Sequence, residues 1–359
     1  MLDQSGTIGV AAANLDTPAL TFELDILERN IARLQRYLSE HGIASRPHVK
    51  THKIPAIAHA QMAAGAVGIA CQKLGEAEVM ADAGLNDIMI PMNIVGWFKL
   101  TRLVALARRI RLAVTTDHPV VTRGLSEAAV GGEFTLPVLV ECDTGQGRCG
   151  VQSPAAAVEL AKIVKRSPGL VFRGLVTFPT TPAAAAFVTE ATRLLAQAGL
   201  PPEVVSGGGT PGVWRLHELS GFTEHRAGEY VFNDRNTLAI GDATIADCSM
   251  RVLATVISRP VPDRAVIDAG SKTLTSNPGR GLTGFGLLLE YPDAALVRLT
   301  EEHGIVDLSR CARKPEIGEM VTIIPNHASV VANMFDIAFG VRGGYVETAW
   351  PVLARGRIR

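Results

Sequence analysis

The stretch Arg46-Pro47-His48-Val49-Lys50-Thr51-His52-Lys53 is dense in reactive side chains: five of its eight residues carry a basic or imidazole group. An amine crowded by other cations and partly withdrawn from water has a lowered pKa, so a lysine here can form an imine with a carbonyl. A solvated basic loop has the same composition, and the residues alone leave both readings open. A second string, Ser206-Gly207-Gly208-Gly209-Thr210-Pro211, sets three glycines between hydroxyls. Bare backbone N–H groups of this kind can cradle a phosphate; a flexible turn is the competing reading. Taken together, lysine and glycine run point to a phosphorylated aldehyde cofactor. A third string, Asn326-His327-Ala328-Ser329, places an imidazole two residues from a hydroxyl. On one strand face that pair could hold a metal, or His327 could be a structural or substrate-binding histidine.

The elements that must position these strings alternate along the chain. Ala19 to Leu24 reads as a strand, and Ile26 to Glu40 as a helix with apolar residues at Ile26, Leu27, Ile31, Leu34 and Leu38, ended by His41-Gly42. Further strands are expected at 45–50, 67–70, 87–91, 111–115, 137–141, 170–177 and 203–206, with helical segments between most of them, and 230–233 would close the series. Such alternation implies a parallel sheet with right-handed crossovers. Eight or nine strands over this length suit a (β/α)8 barrel of the TIM type, with an open doubly wound sheet as the alternative. Lys50 and the glycine run then fall at strand ends, where barrels carry their chemistry. After about residue 243 helical periodicity nearly vanishes, and β-rich runs follow at 248–258, 264–268, 295–300, 321–324, 337–341 and 345–348. The expected division is an α/β barrel over 16–242 and a mainly β domain over 243–359, with residues 1–15 packing against the latter.

Bulk composition narrows the classes. The chain has 359 residues, 35 basic and 35 acidic, with 47% hydrophobic and 19% charged residues. Balanced charge without a long basic tract argues against nucleic acid as a partner. No apolar run reaches transmembrane length, and Met1 to Asn14 lacks the pattern of a signal peptide. The five cysteines, Cys71, Cys142, Cys149, Cys248 and Cys311, are scattered and odd in number. They read as reduced thiols of a cytoplasmic protein, with Cys71, Cys142 and Cys149 as core residues.

Nearly the whole chain resembles the D-threonine aldolase / D-serine dehydratase group of pyridoxal 5′-phosphate (PLP) enzymes, with the alanine racemase-like, fold-type III architecture. The resemblance rests on Asp16-Thr17-Pro18-Ala19, the Arg46–Lys53 string, Leu74-Gly75-Glu76-Ala77-Glu78, Asp143-Thr144-Gly145 with Arg148-Cys149-Gly150, and Val205 to Pro211. Thr223-Glu224-His225-Arg226, Gly228 to Asp234, Pro325-Asn326-His327 and Ala354-Arg355-Gly356-Arg357 extend it. It implies that Lys50 is the Schiff-base lysine and that Ser206, Gly207, Gly208, Gly209 and Thr210 face the PLP phosphate, with Tyr230 reaching it too. Arg148 would hold the ring, His52 would support the site or carry a proton, and His327 would be the metal-binding histidine. A homodimer acting on a small amino-acid substrate is also implied.

Two departures stand out. Where the family places Cys or Asp two residues after the histidine, this chain has Ser329, a poor ligand, so that Mg²⁺ or Mn²⁺ suits the pair His327 and Ser329 better than Zn²⁺, with no metal at all as the alternative. The segment Thr177-Phe178-Pro179-Thr180-Thr181 lacks the histidine of one dehydratase branch. The expected activity is therefore cleavage of the Cα–Cβ bond of a D-β-hydroxy amino acid to an aldehyde and glycine or another amino acid. A D-serine or 3-hydroxyaspartate-type dehydratase and an amino-acid racemase are the alternatives. A PLP carrier without turnover is the non-enzyme reading, opposed by the second domain with its His327. Gln72, Phe178, Trp214 and Phe335 are candidates to line the substrate pocket, with ordinary packing as the competing role.

Overall fold

The computed structural model describes residues 5–279 and 281–359. Contacts divide the chain into two units. One comprises the chain up to Ala32, Thr51–Ile54 and Glu229–Gly356; the other comprises Arg33–Lys50, Pro55–Gly228 and Arg357–Arg359. The division falls at Gly228/Glu229 rather than at 242/243, and the first strand changes sides. That strand, β1 (Ala19–Glu23), was expected to open the barrel but pairs antiparallel with residues 250–253 and parallel with 339–341. Helix α1 (Leu24–Glu40) follows it, burying Leu27, Ile31, Leu34 and Leu38 at helical spacing.

The barrel unit holds eight parallel strands: β2 (Ala44–Ser45), β3 (Ile69–Ala70), β4 (Asp87–Ile90), β5 (Arg111–Thr116), β6 (Leu136–Asp143), β7 (Leu170–Phe178), β8 (Val204–Gly208) and β9 (Glu224–Arg226). Their order is β2-β9-β8-β7-β6-β5-β4-β3. The ends meet: Ala70 N–H donates to Pro47 C=O at 2.8 Å, Val67 N–H to Ser45 C=O at 2.9 Å, and His48 bridges Ala70. The sheet is therefore closed, as the strand count implied. The strand beside β2 is Glu224–Arg226, however, and the run expected to close the barrel at 230–233 begins instead as a 3-10 turn, Glu229–Val231. Between the strands lie α2 (Pro55–Ala63), α3 (Leu74–Asp82), α4 (Trp97–Ala107), α5 (Pro119–Gly132), α6 (Pro154–Arg166) and α7 (Pro182–Gln197). The last three each begin on proline after a capping side chain, from His118, Ser153 and Thr181. The missing proline N–H costs nothing in the first turn, and the cap satisfies one of the next. Met89, Leu139 and Val176 form one apolar layer inside the barrel.

The second unit is built on a nine-stranded sheet. Besides β1 it contains β10 (Met250–Val261), β11 (Arg264–Ile267), β12 (Gly286–Leu288), β13 (Ala295–Leu299), β14 (Gly304–Asp307), β15 (Met320–Pro325), β16 (Ile337–Arg342) and β17 (Tyr345–Pro351). Its main path is β13-β14-β11-β10-β1-β16-β17, with β15 joining β10 to β12. The N-terminal segment runs along β17: Gly9 N–H donates to Val346 C=O, and Ala11 bridges Tyr345. Leu15, Ala19, Leu253 and Val346 pack together beneath it. Three short helices, α8 (Arg235–Ala239), α9 (Ser271–Leu274) and α10 (Ala328–Ala332), interrupt the β structure. Among the described residues no helix is long and apolar enough to cross a membrane.

Candidate active site

Because every barrel strand is parallel, their carboxyl ends share one rim. Lys50 leaves that rim in the 3-10 turn Val49–Thr51, two residues beyond His48, the residue that closes the barrel. His48 is nearly buried and its Nε2 lies 3.0 Å from Gln72 Oε1, at the end of β3. The glycine string ends β8. At Gly207 a Cβ would lie 2.6 Å from Thr180 Oγ1, and at Gly208 it would lie 2.8 Å from the Arg226 guanidinium. Gly209 has φ +110°, a conformation other residues rarely adopt. Sterics thus enforce the bare backbone, and Thr210 follows it, buried.

Ser206 departs from its expected role. Its hydroxyl is fully buried, donates to Glu224 Oε1 at 2.6 Å and accepts from Arg226 Nη1 at 2.5 Å. The side chain is thereby committed inside the barrel, because residue 206 alternates inward on β8 while the turn beyond Gly208 faces the rim. Glu224 also accepts from Arg46 at 2.7 Å, and Arg46 reaches Asp87 at 2.7 Å. Arg226 Nη2 donates to Thr177 C=O at 2.9 Å, while its Nε has no hydrogen-bond partner. Complete burial lowers the Arg226 pKa to about 10, against the pull of Glu224 and Glu141. Burial raises that of Glu141, opposed first by Arg148 and then by Arg226.

Arg148 projects from the exposed loop after β6, 3.8 Å from Glu141 and with its guanidinium 5.2 Å from the Phe178 ring centre. It is available on the rim, half-exposed. Cys149 beside it is exposed, contrary to its expected place in the core, because it lies in the loop between β6 and α6 rather than in a core element; Cys71 and Cys142 are buried. Burial pushes the Cys71 and Cys142 thiols well up, as suits inert core residues. Trp214 does not join the rim cluster: it stacks under Arg33 at 4.1 Å and against Tyr37, both on α1.

A second cluster lies in the β-rich unit. His327 Nε2 is 2.6 Å from Glu229 Oε1, and Ser329 Oγ donates to the same oxygen at 3.1 Å. Ser329 Oγ also contacts the hydroxyl of Thr51, the residue that follows Lys50, at 3.3 Å. The predicted pair 327/329 is thus brought together, but on the first turn of α10 rather than on a strand, and around a carboxylate. Asp234 accepts the N–H of Ala328 at 2.8 Å and holds that turn; burial, then the Glu229 charge, raises its pKa. Tyr230 is buried beside Glu229, and Phe335 is half-buried beyond α10. His52 is fully buried, its Nδ1 accepting from Ile54 N–H at 3.0 Å and its ring edge-on to Phe232. That placement makes His52 a strut for the turn after Lys50 rather than a solvent-linked proton carrier. Glu229, Asp234 and Arg226 were missed as site residues. They are single charges in runs that carried the resemblance, and no spacing rule marks them.

The comparisons agree with this architecture. Residues 22–236 match the family model described as alanine racemase, N-terminal domain, and 249–341 match the putative serine dehydratase domain. A D-threonine aldolase from an Arthrobacter species is 36% identical over 97% of this chain and 95% of its own. A 3-hydroxy-D-aspartate aldolase from Paracoccus denitrificans is 33% identical over 97% and 94%. The crystal structure of D-threonine aldolase from Filomicrobium marinum superposes with a TM-score of 0.89, 36% identity, and 98% and 99% coverage. The chain therefore belongs to the D-threonine aldolase / D-serine dehydratase-like family of PLP enzymes, with an alanine racemase-like barrel and a second, mainly β domain.

Proposed function

We propose that this protein is a PLP-dependent lyase that cleaves the Cα–Cβ bond of a D-configured β-hydroxy amino acid, releasing an aldehyde and glycine. The observation that carries the reading is the common rim that the chain reaches after β2, where Lys50 sits in the turn Val49–Thr51, and after β8, where Gly209 follows the strand, with only β9 between the two strands. Strands spaced by about 4.8 Å put them roughly 10 Å apart along the rim, a span for a lysine side chain plus a pyridine ring.

The residues fit the cofactor. A Cβ at Gly207 would meet Thr180 and one at Gly208 would press on the Arg226 guanidinium, so bare backbone amides are kept there for a phosphate, and Thr210 adds a hydroxyl. The Arg226 Nε, buried and without a hydrogen-bond partner, supplies a fixed positive end beneath the rim. Lys50 would hold the aldehyde carbon and Arg148 would lie against the ring's polar edge. When bound, PLP supplies the electron sink for the pair left on Cα as the bond to Cβ breaks. The chain's own tasks are then to fix the amino acid's carboxylate and to accept the β-hydroxyl proton. The cluster around His327 suits the second, since its Ser329 hydroxyl lies 3.3 Å from that of Thr51, the residue joined to Lys50.

D-Threonine, D-phenylserine, D-3-hydroxyaspartate and D-serine should be offered to the holoenzyme. Aldehyde and glycine are expected from the first two, with glyoxylate and glycine from the third. Keto acid and ammonia as the sole products would replace the lyase reading with a dehydratase, and inversion at Cα alone would replace it with a racemase.

A further inference from the structure

The cluster at His327 has a donor arrangement of its own. The Asn277 amide is oriented by Gly279, whose N–H donates to Asn277 Oδ1 at 2.9 Å. Nδ2 is therefore the atom facing His327 Nδ1 at 3.2 Å, and Nδ1 must accept. In the neutral ring the proton then sits on Nε2, which donates to Glu229 Oε1 at 2.6 Å. Both ring nitrogens are committed. A metal on Nε2 would have to strip that proton and displace Glu229; a metal on Nδ1 would have to displace Asn277. Ser329 offers a neutral hydroxyl that already donates to the same Glu229 oxygen. Among the described residues no three His, Cys, Asp or Glu side chains converge to hold an ion. The residues expected to bind a divalent cation do not fit one.

The arrangement is firmly held. Asn326 donates through Nδ2 to Asn277 C=O at 3.2 Å and Gly284 C=O at 2.9 Å, and accepts at Oδ1 from Arg235 at 2.7 Å. Asn236 donates to Asn326 C=O at 2.7 Å, and Asp234 caps the turn bearing Ser329. Asn277, His327 and Ser329 thus share one hydrogen-bonded frame, and Glu229 is the acceptor at its centre.

We propose that Glu229 takes the place of the metal: held by His327 and by Ser329, which also contacts Thr51 next to Lys50 in the chain, its carboxylate is the base for the β-hydroxyl, and the enzyme needs no divalent cation. This rests on the lyase reading above. The β-oxygen gives its proton to Glu229 and its C–O bond becomes the aldehyde C=O. The Cα–Cβ electron pair stays with Cα, which takes a proton from water before glycine leaves, and Glu229 gives its proton back to water. Electrons and protons balance without a redox partner, and His327 Nε2–H stabilises the carboxylate between turnovers. A carboxylate base removes a proton well but offers a departing hydroxide no positive charge, so the same geometry favours aldehyde formation over elimination.

Two measurements decide the proposal. The first is Mn²⁺ binding to the PLP-loaded protein, read by electron paramagnetic resonance after dialysis against a chelator. Wild type is expected to leave Mn²⁺ free, whereas E229Q/S329D, which removes the blocking acceptor and restores an anionic neighbour for His327, is expected to bind it. Stoichiometric binding by wild type would overturn the proposal whatever substrate the enzyme takes. The second is aldehyde release. Chelated wild type should keep its kcat, and E229Q should lose about 10²-fold or more in kcat with the PLP absorbance unchanged and partial recovery in E229D. Aldehyde release that requires added Mn²⁺, or full activity in E229Q, would overturn the role of Glu229 while leaving the lyase reading intact. Absence of aldehyde from every substrate would overturn the lyase reading itself, and the Mn²⁺ measurement would still stand.

Discussion

Single residues carry more of this site's character than their exposure suggests. His225 is fully buried, with Nε2 against Gly209 C=O at 2.7 Å and Nδ1 lacking a hydrogen-bond partner. Burial lowers its pKa from 6.5 to about 4, opposed by the Gly209 bond. The unfolded chain binds a proton on this ring near its ordinary pKa, and the folded ring refuses it. Stability is therefore full above pH 6.5 and falls as pH drops towards 4. Between pH 7 and 5 the loss from this residue is about 2 kcal/mol. Urea unfolding of wild type and His225→Gln at both pH values should show the wild type losing that much more; equal losses would contradict it. Arg226 makes a companion case. Replacing a buried, hydrogen-bonded charge such as Arg226 by Met leaves Ser206 and the Thr177 carbonyl without their donor, and a cost of about 3–5 kcal/mol is expected.

At the scale of elements, Gly174 makes the sharpest prediction. It lies within β7 at φ +152°, paired with Val204 on β8, and a Cβ there would sit 1.8 Å from the Val204 oxygen. Gly174→Ala must push β8 away from β7, and β8 carries the glycine cradle. We expect loss of more than about 4 kcal/mol and loss of PLP absorbance in whatever protein stays soluble; a variant of wild-type stability that retains PLP would refute the pairing. The barrel helices were legible only as segments between alternating strands; the proline after a capping side chain at Ser153-Pro154 and Thr181-Pro182 marks boundaries that the pattern reading did not use. Other elements were not. The run Ala19–Glu23 has the pattern of any buried strand, and nothing local says that it pairs with β10 and β16 instead of entering the barrel. Glu224–Arg226 is three residues of charge and imidazole that read as polar loop, yet their side chains meet the buried partners Arg46 and Ser206. The Lys50 and glycine strings were visible because their residue types are unusual in themselves: five basic or imidazole groups in eight residues, and three successive glycines. Glu229 was not, since its meaning depends on His327 lying 2.6 Å away across 98 residues of sequence.

For the molecule as a whole, cofactor and assembly should both register in stability. A ligand that binds only the folded state stabilises by RT ln(1 + [L]/Kd), about 2.7 kcal/mol at a hundredfold excess over Kd. Protein stripped of PLP by hydroxylamine should melt lower than the holoprotein and recover on adding PLP, with no such recovery in Lys50→Ala at matched concentrations. We also expect a homodimer, twice the 38.1 kDa chain mass by light scattering; a monomer at working concentration would contradict that assignment. The Lys50 assignment is tested by reduction of the holoenzyme with borohydride followed by peptide mapping. A pyridoxyl adduct is expected on the peptide carrying Lys50 and nowhere else, with the visible absorbance of the bound cofactor lost on reduction. An adduct on another lysine, or none from protein that had been loaded with PLP, would contradict it.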